Sequence, residues 1–209
     1  TVHELGHVYT YGILANNEWQ SGWMDEGLSS YQELLQAGDS RVLLAARLEF
    51  AKERNPAHPR DTAVRRLRER LDVMSDEQAA TVRDGTAEPI GIRADLFRSF
   101  AVYDASVYDR GQSMYQSLHD LLGEETFQRF LREYYGMWQF RHVDRWAMQA
   151  VAERIGEQKL GWFFDQWLQQ SGIIDYALRA PVVRKEQLGG RSQWVVTAQL
   201  VKVGGYRHA

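Results

Sequence analysis

The sequence predicts a mainly α-helical protein that ends in a β-hairpin. From the start to about Leu168, apolar residues recur every three or four positions between Gly, Pro and Asn breakers. Beyond Gly172 the pattern changes to two short valine-rich stretches around Gly189-Gly190. With 209 residues, 44% hydrophobic and 25% charged, the chain has material for one sizeable core, or one core plus part of another. A formal net charge of −3 gives no reason to expect a nucleic-acid partner. No apolar run approaches the ~20 residues that a membrane-spanning helix needs. Cysteine is absent, so histidine and carboxylate are the plausible metal ligands, and the compartment stays open.

The elements follow in order. A first helix runs from the start to about Leu14 and stops at Asn16-Asn17. A second opens near Asp25, carries Leu28, Tyr31, Leu34 and Leu35, and ends at Gly38. Ser40 reads as the N-cap of a third, with Val42, Leu43, Ala46, Leu48 and Phe50 on its apolar side. Pro56 and Pro59 break the pattern, and a charged helix with Val64, Leu67 and Leu71 follows. Its arginines alternate with Glu69 and Asp72, which marks a solvated face. Asp84 to Asp104 reads as a long connection punctuated by Gly85, Pro89 and Gly91. Helical spacing resumes with Val107, Met114, Tyr115, Leu118 and Leu122, ending at Gly123. Three further helices lie around Phe127–Tyr134, Trp146–Ile155 and Trp162–Leu168, the last closed by Gly172. Strands over Tyr176–Glu186 and Gln193–Val203 form the hairpin. A lone hairpin is marginal in water, so it reads as the opening of a β domain cut short after Ala209. The expected domains are residues 1–175 and 176–209.

The chemistry is concentrated at the start. His3-Glu4-Leu5-Gly6-His7 spells H-E-x-x-H, and Glu26 follows His7 by nineteen positions. Residues four apart on a helix share a face, so His3 and His7 can grip one metal ion. Glu26 can supply the third ligand, leaving one position open for water or substrate. Glu4, on the adjoining face, is placed to hold that water. Chance would produce H-E-x-x-H with a glutamate at this one distance in roughly one chain of this size in a few thousand, so a zinc site is the expectation.

Further motifs appear in order along the chain: Trp23-Met24-Asp25-Glu26-Gly27, Tyr108-Asp109-Arg110-Gly111, Leu121-Leu122-Gly123-Glu124-Glu125-Thr126-Phe127, and Asp165-Gln166-Trp167-Leu168 before Gly172. Together with H-E-x-x-H and its eighteen-residue spacing, they resemble the gluzincin zinc aminopeptidases of peptidase family M-one, the family of membrane alanyl aminopeptidase and the leukotriene hydrolases. The family patterns are W-x-N-E-G, Y-E-K-G, L-L-G-x-x-x-F and D-Q-W-L. The chain departs from them by Asp25 for Asn, Asp109 for Glu and Arg110 for Lys. The resemblance implies the helical lobe of a thermolysin-like gluzincin catalytic domain, followed by a truncated β-sandwich domain. It also implies that an upstream β lobe, with the G-x-M-E-N strand that binds a free α-amine, lies outside these residues. Zinc chemistry is thereby implied more firmly than aminopeptidase specificity.

The expected assignment is one Zn²⁺ per chain on His3, His7 and Glu26, with Glu4 as proton acceptor and Tyr108, by the resemblance, as the phenol that donates to the developing oxyanion. Without the resemblance, Val107 and Tyr115 nearby make packing the simpler reading of Tyr108. Tyr103 is a second candidate for the same pocket. Glu33, two turns beyond Glu26, either receives the far N–H of a ligand histidine or is an ordinary surface acid. Asp25 reads as a helix cap. Trp19 and Trp23 either line a cleft or pack beneath the turn between the metal helices. His58, His119, His142 and His208 fit no ligand spacing. The expected function is zinc-dependent hydrolysis of a peptide substrate, aminopeptidase in the full-length protein. A non-catalytic binding scaffold, or a hydrolase of another substrate class, are the alternatives. The uncovered face of the metal helix is expected to favour self-association of the chain by itself.

Overall fold

The structure is a computed structural model and describes residues 2–37, 80–82, 84–174, 176–189 and 191–206. They fall into two compact units, Thr1–Ser171 and Gly172–Ala209. Among the described residues no helix is long and apolar enough to cross a membrane.

The first unit is helical. Helix α1 (Val2–His7) passes directly into a π-helical turn, Val8–Ile13, where the Leu14 N–H reaches back to the Tyr9 carbonyl at 3.3 Å. The Thr10 hydroxyl lies 3.2 Å from the Gly6 carbonyl, a back-bond of the kind that bends helices. Ala15 (φ 42°) ends the segment close to the expected stop. A staircase follows: α2 (Glu18–Ser21), capped by the Asn17 side chain, a 3-10 turn over Gly22–Met24, then α3 (Glu26–Ala37). Periodicity cannot reveal pieces of three or four residues. Asp25 is no cap. Its backbone is already helical (φ −97°, ψ −67°) and its side chain is fully buried.

The helices expected around Val42–Phe50 and Val64–Leu71, with the Pro56 and Pro59 break, lie outside the described residues. The connection after Asp84 is shorter than the sequence suggests, because Ser99 caps a helix, its hydroxyl accepting from the Val102 N–H at 3.3 Å. That helix, α4 (Phe100–Asp104), opens into a second π-helical turn, Ala105–Arg110, and continues as α5 (Gly111–Leu122) up to Gly123 (φ 77°). Helices α6 (Glu124–Trp138), α7 (Arg145–Gly156) and α8 (Gly161–Gln169) complete the unit where the periodicity places them.

The core is aromatic. Tyr31, Tyr115, Phe127, Phe130, Tyr134 and Trp23 are buried, with the Tyr31 ring 5.8 Å from Phe127 and 6.2 Å from Tyr115. The buried Tyr31 hydroxyl is satisfied by His119 Nδ1, whose Nε2 faces Glu124 at 2.8 Å. Arg110 is buried and donates to the Gln170 carbonyl at 3.2 Å, tying the second π-turn to the end of α8. By contrast, Leu5, Val8, Tyr9 and Tyr11 on α1 and its π-turn stay exposed.

The contact that positions the site is made without side chains. Gly27 on α3 and Gly111 at the head of α5 face each other so closely that a Cβ on Gly27 would lie 2.9 Å from the Gly111 Cα and 3.2 Å from the Val107 carbonyl oxygen. Only glycine permits such an approach.

The second unit is an antiparallel hairpin, β1 (Tyr176–Leu188) and β2 (Arg191–Lys202), paired from Tyr176↔Lys202 to Leu188↔Arg191. The strands are longer at the turn than the sequence suggests. A register shift between Arg179 and Val182 accommodates Pro181, which has no N–H to give a ladder. Gly172, expected to close α8, belongs here. A Cβ on it would fall 2.7 Å from the Tyr206 ring, so it is a packing glycine.

Replacing Gly27 by Ala must push α3 and α5 apart. The expected outcome is a loss of about 1–3 kcal/mol on urea unfolding, in line with overpacking elsewhere in protein cores. Ala at Gly136, where a Cβ meets nothing within 4 Å, should leave stability unchanged or higher.

Candidate metal centre

His3 and His7, one turn apart on α1, present adjacent rings with centroids 4.8 Å apart. Their Nε2 atoms both face Glu26 Oε2 at the start of α3, at 3.1 Å from His3 and 3.4 Å from His7. One donor atom from each of the three residues lies within 4.8 Å of the others. Two imidazole nitrogens and a carboxylate oxygen are a donor set suited to Zn²⁺.

Each outer nitrogen faces a carboxylate. His7 Nδ1 lies 2.8 Å from Asp25 Oδ1, and His3 Nδ1 lies 3.8 Å from Glu33 Oε2. A carboxylate can only accept, so the Asp25 bond puts the His7 proton on Nδ1 and leaves Nε2 free to act as a donor atom. Asp25 also accepts from the Thr10 hydroxyl, and Thr10 lies 3.0 Å from the Ser29 hydroxyl, so a small polar layer is buried between α1 and α3. Space for it exists because Gly6 faces Ser29, where a Cβ would come within 2.9 Å of the hydroxyl oxygen. The Asp25 carboxylate, aided by partial burial, pushes the nearby Glu18 carboxyl up to about 7.

A cavity of about 530 Å³ opens on these groups. His3, Glu4, His7, Glu26, Glu33, Asp104 and Tyr108 line it, and among the described residues no lysine or arginine does. Tyr108 sits on the second π-turn with its ring stacked on that of His3, 5.8 Å between centroids and 15° between planes. Burial, and then the Glu26 carboxylate beside it, hold its phenol pKa well above the usual tyrosine value. The group is therefore a hydrogen-bond donor at any working pH.

All five predicted site residues border this one cavity. The structure differs from the sequence reading at the brace around the histidines. Asp25, taken for a cap, holds His7, while Glu33 sits half-exposed beside His3 at ion-pair distance, longer than a hydrogen bond. Thr10 carried no signal of its own. Its place three residues after His7, and so on a neighbouring part of the same helical face, could have pointed to it. Trp23 is buried against Tyr115, Trp19 is exposed, and neither lines the cavity. Tyr103 meets the Tyr108 ring edge-on at 6.1 Å and does not line the cavity. His119 is structural, His142 lies on the surface beside the Ala15 carbonyl, and His58 and His208 lie outside the described residues.

Two histidines of one helix and a glutamate of another thus converge beside one cavity as a candidate metal site. Residues 1–167 match the Peptidase family M1 domain, and the chain belongs to that family. Human glutamyl aminopeptidase is 24% identical over 174 residues, covering 81% of this chain and 16% of that protein. Chicken (Gallus gallus) aminopeptidase Ey is 25% identical over 202 residues, covering 91% and 18%. Rice aminopeptidase M1-B is 24% identical over 170 residues, covering 81% and 17%. The chain thus spans only 16–18% of the length of these relatives. The crystal structure of an M1 zinc metallopeptidase from Deinococcus radiodurans shares the fold with a TM-score of 0.51 at 19% identity, over 81% of this chain and 32% of that one.

The elevated Tyr108 phenol has a direct readout. In the metal-free protein, tyrosinate absorbance should rise identically in the parent and in Tyr108→Phe up to about pH 11, where ordinary tyrosines have largely ionised. A smaller rise in the variant over that range would show that Tyr108 ionises normally.

Proposed function

We propose that this chain carries the metal-binding half of a zinc-dependent peptidase, an aminopeptidase in its full-length form. The observation that supports it most is the convergence of His3, His7 and Glu26 on one point, with Glu4 and Tyr108 bordering the same cavity. The aminopeptidase names of its relatives point the same way. Residues 1–175 form the helical part of the catalytic domain in this reading, and 176–209 the start of a β domain.

His3, His7 and Glu26 would hold one Zn²⁺, which when bound supplies Lewis acidity and brings the pKa of a water toward neutrality. Glu4 has no ion pair or hydrogen bond among the described residues, so its carboxylate is available as the base. It accepts the proton of the attacking water and returns it to the leaving amine. The Tyr108 hydroxyl donates to the carbonyl oxygen as negative charge gathers there. The substrate is a peptide whose scissile carbonyl enters between Glu4 and Tyr108.

Metal content tests the reading first. The purified chain should carry about one zinc, and His7→Ala should lose it. In the full-length protein, with aminoacyl anilides and blocked peptides as substrates, Glu4→Gln should lower kcat by roughly 10²–10⁴-fold with zinc retained. Tyr108→Phe should cost about 10²–10³-fold, mainly in kcat. Full turnover by Glu4→Gln would sink the mechanism.

A further inference from the structure

We propose that Asp25 is a positioning residue of the metal centre: its buried carboxylate locks the His7 ring with Nε2 toward Glu26, a charged brace where the pattern W-x-N-E-G carries an amide. The proposal rests on the reading of His3, His7 and Glu26 as metal ligands.

The geometry supports it on three sides. Asp25 is fully buried between α1 and α3, and its Oδ1 is 2.8 Å from His7 Nδ1. The Thr10 hydroxyl reaches the same oxygen, and the Ser29 hydroxyl lies 3.0 Å from Thr10 Oγ1, where it can donate to it. The acceptor oxygen is therefore held by two side chains at once. An asparagine at this place has two unlike ends, and only the oxygen end selects the Nδ1–H tautomer. A carboxylate has no wrong end, and its charge makes the imidazole a stronger donor to a cation.

Electrostatics argue against a packing role. A buried carboxylate is costly unless compensated, and the groups close to this one include the Glu18 and Glu26 acids. His7 is the ion-pair partner that the structure provides for it among the described residues. A site built for packing would carry an uncharged residue here. The arrangement makes sense if His7 in turn meets a cation on its other nitrogen. Glu33 is the looser counterpart, half-exposed and 3.8 Å from His3 Nδ1.

The test is zinc affinity, measured by competition with a chromophoric chelator on the full chain, beside thermal melting of the metal-free protein. The set is the parent, Asp25→Asn, Asp25→Ala and Glu33→Gln. Asp25→Asn is isosteric and should melt like the parent without metal, yet bind zinc about tenfold more weakly. Asp25→Ala should lose about a hundredfold, and Glu33→Gln less than Asp25→Asn. Parent affinity in both Asp25 variants overturns the proposal. Parent affinity in Asp25→Asn with loss only in Asp25→Ala overturns the role of the charge. A metal-free Asp25→Asn that melts well below the parent assigns the residue to packing instead. A parent that binds no zinc is a separate failure, because it removes the metal reading before any variant is compared.

Discussion

The backbone contact between Gly27 and Gly111 is the constraint on which the site depends. One partner directly follows Glu26, and the other comes three residues after Tyr108. Bringing their Cα atoms together therefore fixes the distance between the third candidate ligand and the candidate oxyanion donor. Side chains at either position would hold the helices apart, as the 2.9 Å approach of a Cβ shows. The aromatic core of Tyr31, Tyr115, Phe127 and Phe130 then supplies the apolar burial that keeps the crossing closed.

A second contact, between α1 and α3, is polar where the first is bare. Gly6 leaves room for Ser29, and Thr10, Ser29 and Asp25 fill the seam with hydrogen bonds. Buried polar groups of this kind stabilise little by themselves, but each hydrogen bond among them restricts how α1 can sit on α3. The π-turns contribute to the same end. Each widens the helix by one residue next to a functional position, after His7 in one case and around Tyr108 in the other. The outcome is a set of donors and acceptors held from behind, with the open side toward the cavity.

The electrostatics of the cavity fit a centre built for a cation. Glu4, Glu26, Glu33, Asp104 and Asp109 line it, with no lysine or arginine among the described residues there, and Asp25 and Glu18 lie nearby. Such crowding of like charges raises the free energy of the metal-free protein, and a divalent ion would relieve it. Membership of the M1 peptidase family agrees with this physical reading.

The helices from Val107 to Leu168, the hairpin and the shared face of His3 and His7 were legible from local signals, and Glu26 from its fixed distance along the chain. The 3.6-residue period, the Gly189-Gly190 turn and the four-residue histidine spacing are properties of neighbouring residues, and neighbouring residues are what a sequence displays. The short α2 staircase and the early start of α4 at Ser99 were not legible as periods, being too brief to repeat. Asp25 shows the deeper limit. Next to a helix start it looks like a cap, because caps are decided by the adjacent backbone. Its partner is eighteen residues away on another helix, and only the packing of α1 on α3 brings His7 to it. The sequence by itself therefore singled out His3, His7 and Glu26 as a candidate ligand set, and the structure brings their donor atoms together. The tertiary structure decided which acid braces each histidine, because that depends on distances between helices that no spacing along the chain records.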